Sequence, residues 1–330
     1  MSRCSGLSLL SGGLDSRLAV KVLERAGAHV EGVVFETPFF SADGAKRAAD
    51  ALGIALHVVD FTDDEIALVK NPPHGFGSAM NPCIDCHATM IRRASEMMAN
   101  MGFDFVATGE VLAQRPMSQN RQALGIVEKA SGCVGRLVRP LSAKLLEPTL
   151  PEKEGLLDRD ALLDISGRSR TRQLALAAEF GLVDFPSPAG GCKLTEAGFA
   201  RRLRDLMEHE GLDDRRLVDL ITSARRFRLK GGSFLMVGRN AAENDILRRG
   251  ADVGIMLEPV GISGPTALLS PSASREERLF AAAIVAAYCK NSGGGGEVRV
   301  DFSPPGGLSA TETLFVNAAD RSAIKEVQIC

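Results

Sequence analysis

A doubly wound parallel α/β sheet followed by a small α+β domain is the architecture this 330-residue sequence predicts. Between residues 7 and 109, short apolar runs alternate with segments whose apolar residues recur at helical spacing. That is the pattern of strands connected through helices. The first run passes at once into a glycine-rich turn and a helix, the usual ligand position in such a sheet. After residue 224 the texture changes to short alternating runs around turn residues, which marks a separate module of normal domain size. Three segments follow: a parallel-sheet domain at 1–182, a helical extension at 183–224 and an α+β domain at 225–330.

Leu7, Leu9 and Leu10 read as the first buried strand, Gly12 and Gly13 as a tight turn, and residues 16–26 as a helix. Such a turn aims backbone N–H groups at one spot on the positive end of a helix, which makes a phosphate site. It lacks the lysine and spacing of a Walker A loop, and it is not G-x-G-x-x-G. Residues 30–36 and 55–61 read as strands, and 43–52 and 63–70 as helices. A Pro/Gly loop at 71–82 leads to a long helix at 85–101, and 105–109 forms a fourth strand ending at Gly109. The phosphate turn, the end of the second strand and Gly109 therefore share the carboxyl edge of the sheet. A basic stretch from 136 enters an apolar helix at 174–182, and a loop at 184–191 leads to Cys192. Amphipathic helices at 197–209 and 213–223 complete this half. In the last module, 225–229 and 233–238 pair as a hairpin, and a capped helix follows Gly238. Short strands recur near 254–257, 298–302 and 313–316, with an apolar helix at 278–288 and a flexible link at 293–296.

Composition narrows the function. Hydrophobic residues make up 45% and charged residues 24%, so a large core is available and the class is globular. A net charge of −2 excludes a general polyanion binder, and nucleic-acid contact must come from local patches. The absence of Trp and the single Tyr argue against a single-strand platform built on base stacking. No apolar run reaches the ~18 residues of a membrane span and no signal-peptide pattern precedes the first strand, so the expected location is cytoplasmic. Seven cysteines in such a chain suggest metal or redox chemistry rather than structural disulfides. Cys83 and Cys86 open a helix, where the dipole favours thiolates.

Ser11-Gly12-Gly13-Leu14-Asp15-Ser16 resembles the PP-loop signature S-G-G-x-D-S of the adenine-nucleotide α-hydrolases. That resemblance implies ATP, with its pyrophosphate on Ser11, Gly12, Gly13, Asp15 and Ser16. It also implies adenine near Phe35, a nucleotide approaching Gly109, and Mg²⁺ beside Asp15. Three further segments resemble the tRNA 2-thiouridine synthases. Asn81-Pro-Cys-Ile-Asp-Cys86 matches their N-P-x-x-x-C segment, and Ala107-Thr-Gly109 their A-T-G strand end. Arg139-Pro-Leu-Ser-Ala-Lys144 and Arg172-Gln-Leu-Ala-Leu-Ala-Ala-Glu-Phe-Gly-Leu182 match their later blocks, and Cys192 falls where they carry a second cysteine. The family's lysines after the first cysteine are missing, its histidine after A-T-G is Glu110, and Cys83 is additional. Val237-Gly-Arg-Asn-Ala-Ala-Glu-Asn-Asp245 resembles the NFACT RNA-binding domain and implies an RNA partner.

Together these resemblances imply an ATP-dependent tRNA thiolase that adenylates a uridine carbonyl and replaces its oxygen with sulfur. Cys83, Cys86 and Cys192 suit a [4Fe–4S] cluster with one open iron, although four cysteines are the more usual set. In the rival chemistry Cys86 holds a persulfide and Cys192 resolves it by disulfide exchange. The sulfur donor of the thiolase is a cysteine desulfurase, a relay protein or free sulfide, and no membrane partner is expected. A thiouracil desulfidase, a PP-loop ligase and a non-catalytic RNA-binding protein are the other classes. Arg139, Lys144, Arg168, Arg170 and Arg172 form a candidate phosphate-contacting stripe. Cys4, Cys133, Cys289 and Cys330 are read as incidental, and His74 as a loop residue.

Overall fold

Strand β1 (Ser5–Leu9) is the centre of the first sheet, with Leu7 and Ser8 wholly buried. It runs parallel to β2 (His29–Glu36) on one side and to β4 (Phe105–Ala107) on the other. β3 (Leu56–Asp60) and β5 (Leu137–Val138) complete the parallel order β3-β2-β1-β4-β5. The order reverses between β1 and β4, so the crevice for a ligand lies at the carboxyl ends of these two strands. The connecting helices are α1 (Leu14–Arg25), α2 (Asp43–Leu52), α3 (Thr62–Lys70), α4 (Cys83–Met101), α5 (Arg121–Ser131), α6 (Leu150–Lys153) and α7 (Thr171–Glu179). They bury both faces. Leu18, Val22 and Leu23 of α1 join Ala45, Val34 and Ala177 on one side, while Leu7, Val33, Phe61, Ile91 and Val127 pack on the other. Burial on both faces explains why these strands read as nearly continuous apolar runs.

This computed structural model describes residues 4–115, 117–187, 191–290, 296–307 and 309–329. Residues 188–190 of the loop before Cys192, residues 293–295 of the expected link, and Cys330 lie outside that set. The chain divides into two compact units, Met1–Thr195 and Glu196–Cys330. The second contains α8 (Ala197–His209), α9 (Arg215–Ile221), β6 (Arg225–Arg228), β7 (Phe234–Val237), α10 (Ala241–Arg249), β8 (Ile255–Pro259) and β9 (Ala267–Leu269). It continues with α11 (Arg275–Ala287), β10 (Val298–Ser303), β11 (Glu312–Val316), α12 (Arg321–Val327) and β12 (Gln328–Ile329). Its seven strands are antiparallel in the order β11-β10-β8-β9-β7-β6-β12, and Ala281, Ala282 and Val285 of α11 cover their apolar face.

The expected helical extension at 183–224 is therefore divided after Thr195. Charge sets the division. Arg226 of β6 is wholly buried, and its guanidinium donates to Asp205 (2.6 Å) and to Glu210, at the end of α8. Arg228 donates to the same two carboxylates at 2.6–3.0 Å. A buried guanidinium needs those partners, so α8 travels with the sheet it neutralises.

Candidate active site

The turn after β1 is built by its own backbone. Gly12 has φ +81, and a Cβ there would lie 2.3 Å from the carbonyl carbon and oxygen of Gly44 in α2. Only glycine fits. Gly13 is different: it is extended (φ −72, ψ 163), and a Cβ would meet nothing closer than Ser11 Oγ at 3.5 Å. Gly13 caps α1 without any side-chain hydrogen bond, so no side chain caps the first-turn N–H groups. Ser16 Oγ donates to the Gly13 carbonyl (2.9 Å), and Arg17 Nε to the Gly12 carbonyl (3.1 Å). A second Arg17 nitrogen donates to the Val183 carbonyl at 3.3 Å.

Gln114 Nε2 donates to Asp15 Oδ2 at 2.8 Å, while Asp15 Oδ1 and Gln114 Oε1 are buried without a partner. A carboxylate oxygen left over in this position suits a hard, oxygen-seeking cation such as Mg²⁺, and Asp15 is the residue that would hold it. Gly109 serves the protein itself: a Cβ there would lie 2.6 Å from Ser16 N and 2.7 Å from the Asp15 carbonyl carbon. Its small size lets the end of β4 reach the first turn of α1. Phe35 is buried in the core, its ring edge-on to Phe61 at 5.3 Å, so it offers no open face to an adenine. Past the end of β2, however, Thr37–Ser41 join Gly191 and Lys193 around a cavity of ≈ 330 Å³.

The three cysteines come together in this unit. Asn81 Nδ2 donates to Cys83 Sγ at 3.1 Å, at the start of α4. Met80 N donates to the Leu194 carbonyl (3.2 Å), and Lys193 N to the Phe39 carbonyl (3.0 Å). These bonds bring the Cys192 segment against the loop before Cys83, and Cys83, Cys86 and Cys192 lie within reach of one another's charge. The expected thiolates are not what this site stabilises. Burial pushes the Cys86 thiol well above its ordinary range, and Glu65, Cys192 and Cys83 add to that. Burial likewise pushes Cys192 up to about 12, with Glu65 and Cys83 adding to it against backbone hydrogen bonds. A helix dipole is worth roughly 0.3–1 kcal/mol at such a position, too little to offset this desolvation.

Glu65 of α3, with no motif to mark it in the sequence, hydrogen-bonds Cys86, and burial raises its carboxyl to about 7. Among the described residues no three His, Cys, Asp or Glu side chains stand where they could hold a metal ion. With no such set, the cysteines do not present a fitted cluster site.

Glu110, which stands where the resemblance calls for histidine, is locked in a buried ion-pair network. Arg139 Nε and Thr108 Oγ1 donate to it at 3.0 Å, and His87 Nδ1 lies 3.4 Å away. Burial pushes its carboxyl up, but the His87 hydrogen bond and the Arg139 charge prevail and hold it down at about 2. Arg139 also donates to Glu128 and to the Leu124 carbonyl, both at 3.0 Å. It is buried and cannot join the expected phosphate stripe. Lys144 donates to the Asp160 carbonyl (2.8 Å) and Arg172 to Asp164 (2.7 Å). His74 Nδ1 sits 2.6 Å from Asp85, which ties the 71–82 loop to the first turn of α4.

In the second unit the V-G-R-N-A-x-x-N-D segment is spent on architecture. Asn240 caps α10 by accepting from Glu243 N (3.0 Å), and Asn244 Oδ1 accepts from Thr266 N (3.2 Å). A Cβ on Gly238 would lie 2.1 Å from that same oxygen.

Residues 2–144 match the family model described as thiamine biosynthesis protein (ThiI), and residues 224–326 the model described as NFACT protein RNA binding domain. The chain resembles a PP-loop tRNA thiolase joined to an NFACT-type domain. The tRNA-specific 2-thiouridylase MnmA of Cutibacterium acnes is 35% identical over 122 residues, 31% of this chain and 33% of that protein. Its counterpart in Agrobacterium fabrum is 27% identical over 201 residues, 53% of this chain and 46% of the relative. A probable tRNA sulfurtransferase of Caldanaerobacter subterraneus is 32% identical over 115 residues, 32% of this chain and 29% of the relative. The chain thus spans less than half the length of these curated relatives. A solved 4-thiouridine synthetase–RNA complex with bound ATP superposes with a TM-score of 0.39 at 20% identity, covering 66% of this chain and 53% of that one. Among the described residues, no helix is long and apolar enough to cross a membrane.

Proposed function

We propose that this protein is an ATP-dependent tRNA thiolase. What supports this reading is a chain of contacts that leads from an uncapped glycine-rich helix start to the Cys192 segment. Gly12 rests on Gly44 of α2, the 37–41 turn leads into α2, and Phe39 of that turn bonds the residue after Cys192. A phosphate loop alone serves many reactions, and thiols next to it point to sulfur transfer. Similarity to ThiI and to the 2-thiouridylases supports the same reading.

In this reaction the pyrophosphate of ATP would lie on the N–H groups of residues 11–16, and Asp15 would hold the Mg²⁺ that neutralises it. The adenine takes the cavity bounded by residues 37–41. The carbonyl oxygen of a uridine attacks the α-phosphorus and pyrophosphate leaves, which turns that oxygen into part of a good leaving group. The outer sulfur of a Cys86 persulfide attacks the carbon and AMP departs. The Cys192 thiol then attacks Cys86 Sγ, so thiouridine is released and a Cys86–Cys192 disulfide forms, to be reduced by an external dithiol. The outer sulfur comes as the persulfide sulfur of a desulfurase or a relay protein, whose own cysteine leaves as the thiol. The second unit adds RNA affinity.

The persulfide route gives Cys83 no task, and a [4Fe–4S] cluster is the alternative that would give it one. Anaerobic iron and sulfide analysis of the wild type and Cys83→Ala separates the two. An iron-free, active Cys83→Ala protein supports the persulfide route. Joint loss of iron and thiolation in Cys83→Ala, Cys86→Ala and Cys192→Ala establishes the cluster. Absence of RNA-dependent release of AMP and pyrophosphate from the wild type would overturn the thiolase reading altogether.

A further inference from the structure

Two non-glycine residues among those described have positive φ, Ala113 (+62) and Asp184 (+56). One sits beside a residue that bonds Asp15 of the phosphate loop, the other beside a residue that bonds Arg17, just after it. Val183, before Asp184, accepts from Arg17, which also holds the Gly12 carbonyl. Gln114, after Ala113, donates to Asp15. Left-handed backbone is unfavourable for a residue with a Cβ and persists only where its surroundings impose it. At Ala113 the surroundings are a tight turn: its N–H donates to the Gln119 carbonyl (2.7 Å), and Gln114 N–H to the Val111 carbonyl (3.2 Å). This turn delivers the Gln114 amide to one oxygen of Asp15. The other oxygen, and the Gln114 carbonyl, are left buried and unpaired.

We propose that Gln114 is a positioning residue of the nucleotide site, which fixes the Asp15 carboxylate through Oδ2 so that Oδ1 is presented to the divalent cation accompanying ATP. An Asp with both oxygens free rotates about its terminal torsion and satisfies itself locally. A donor on one oxygen removes that freedom. The amide N–H is the part that acts, and it must come from a neutral side chain, since a carboxylate there would accept rather than donate and would repel Asp15. The inference rests on the proposed ATP site, and it assigns the cation dependence of that site to a contact outside the glycine-rich motif.

The test is calorimetric titration of the full-length protein with ATP, in Mg²⁺ and in EDTA, for wild type, Gln114→Ala, Gln114→Glu, Asp15→Asn and the Asp15→Asn/Gln114→Ala double variant. In wild type, Mg²⁺ tightens binding. In Gln114→Ala and Gln114→Glu that tightening falls roughly tenfold or more, the scale of a hydrogen bond to a charged group. The loss of affinity in EDTA is smaller than the loss in Mg²⁺. A residue that merely packs the loop would change both affinities together. The double variant is no worse than Asp15→Asn, because the two groups act as a unit. Undiminished Mg²⁺ tightening in both Gln114 variants, or additive losses in the double variant, overturns the positioning role and leaves the ATP site standing. Failure of the wild type to bind ATP at all overturns the site itself.

Discussion

Gly12 and Gly13 are neighbours with opposite reasons to be glycine, and substitution separates them. At Gly12 an added methyl meets the Gly44 backbone at 2.3 Å, in a conformation that L-residues avoid. Gly12→Ala is expected to lose roughly 1–3 kcal/mol or more, seen as a drop of about 2–4 °C in Tm per kcal/mol. At Gly13 an added Cβ meets nothing in the protein closer than 3.5 Å, so Gly13→Val should stay folded while losing ATP. A Gly13→Val protein with wild-type ATP affinity would show that nothing approaches this backbone closely.

Glu110 supplies a pH signature. Its folded carboxyl is held down at about 2 from an ordinary 4.5, so its contribution to stability is complete above pH 4.5. That contribution is lost as pH falls from about 4.5 toward about 2. Glu110→Gln should cost roughly 3–5 kcal/mol at neutral pH, since Arg139 stays buried with a charge removed beside it. The gap to wild type should close in acid, and urea titrations at pH 7 and pH 3 would show it. The phosphate motif and the three cysteines were legible at this scale because each is a residue type in a fixed spacing. Glu65 and Gln114 were not. Each is one polar side chain among many, and only the fold brings Glu65 to Cys86 or Gln114 to Asp15.

The parallel sheet was readable element by element, and the reason is its burial. Strands covered on both faces are uninterrupted apolar runs, and the helices between them keep a clear period, as in α2 with Ala45, Ala48, Ala49 and Leu52 buried. The two-residue β5 and β12 and the three-residue β9 fall below the length at which any period exists. The assignment of α8 was hidden for another reason. Its sequence is an ordinary amphipathic helix, and the bonds that tie it to β6 run from Asp205 and Glu210 across at least 16 residues. Those bonds make a prediction about boundaries. A fragment of residues 225–330 leaves the wholly buried Arg226 without either carboxylate and should not fold, whereas 196–330 should. Dispersed amide NMR spectra from 225–330 alone would refute this account of α8.

For the whole molecule, a net charge of −2 means that RNA affinity has to be local. Removal of residues 196–330 should leave ATP binding intact and weaken RNA binding, with a shallower dependence of log Kd on log salt. Equal RNA affinity and salt slope with and without that unit would assign all of the RNA contact to the first one. The two units also differ in what they demand of a growing chain. In the first, β1 finds β2 within a few tens of residues, so pairing can begin early. In the second, β6 is flanked by β7 and by β12, about a hundred residues further on, where Gln328 pairs with Phe227. Until β12 leaves the ribosome, β6 carries an open flank during synthesis, when unpaired strand edges are most exposed to wrong partners. The guanidinium of Arg226 and its acceptors on α8, made before the sheet is finished, give this strand a charged companion through that interval.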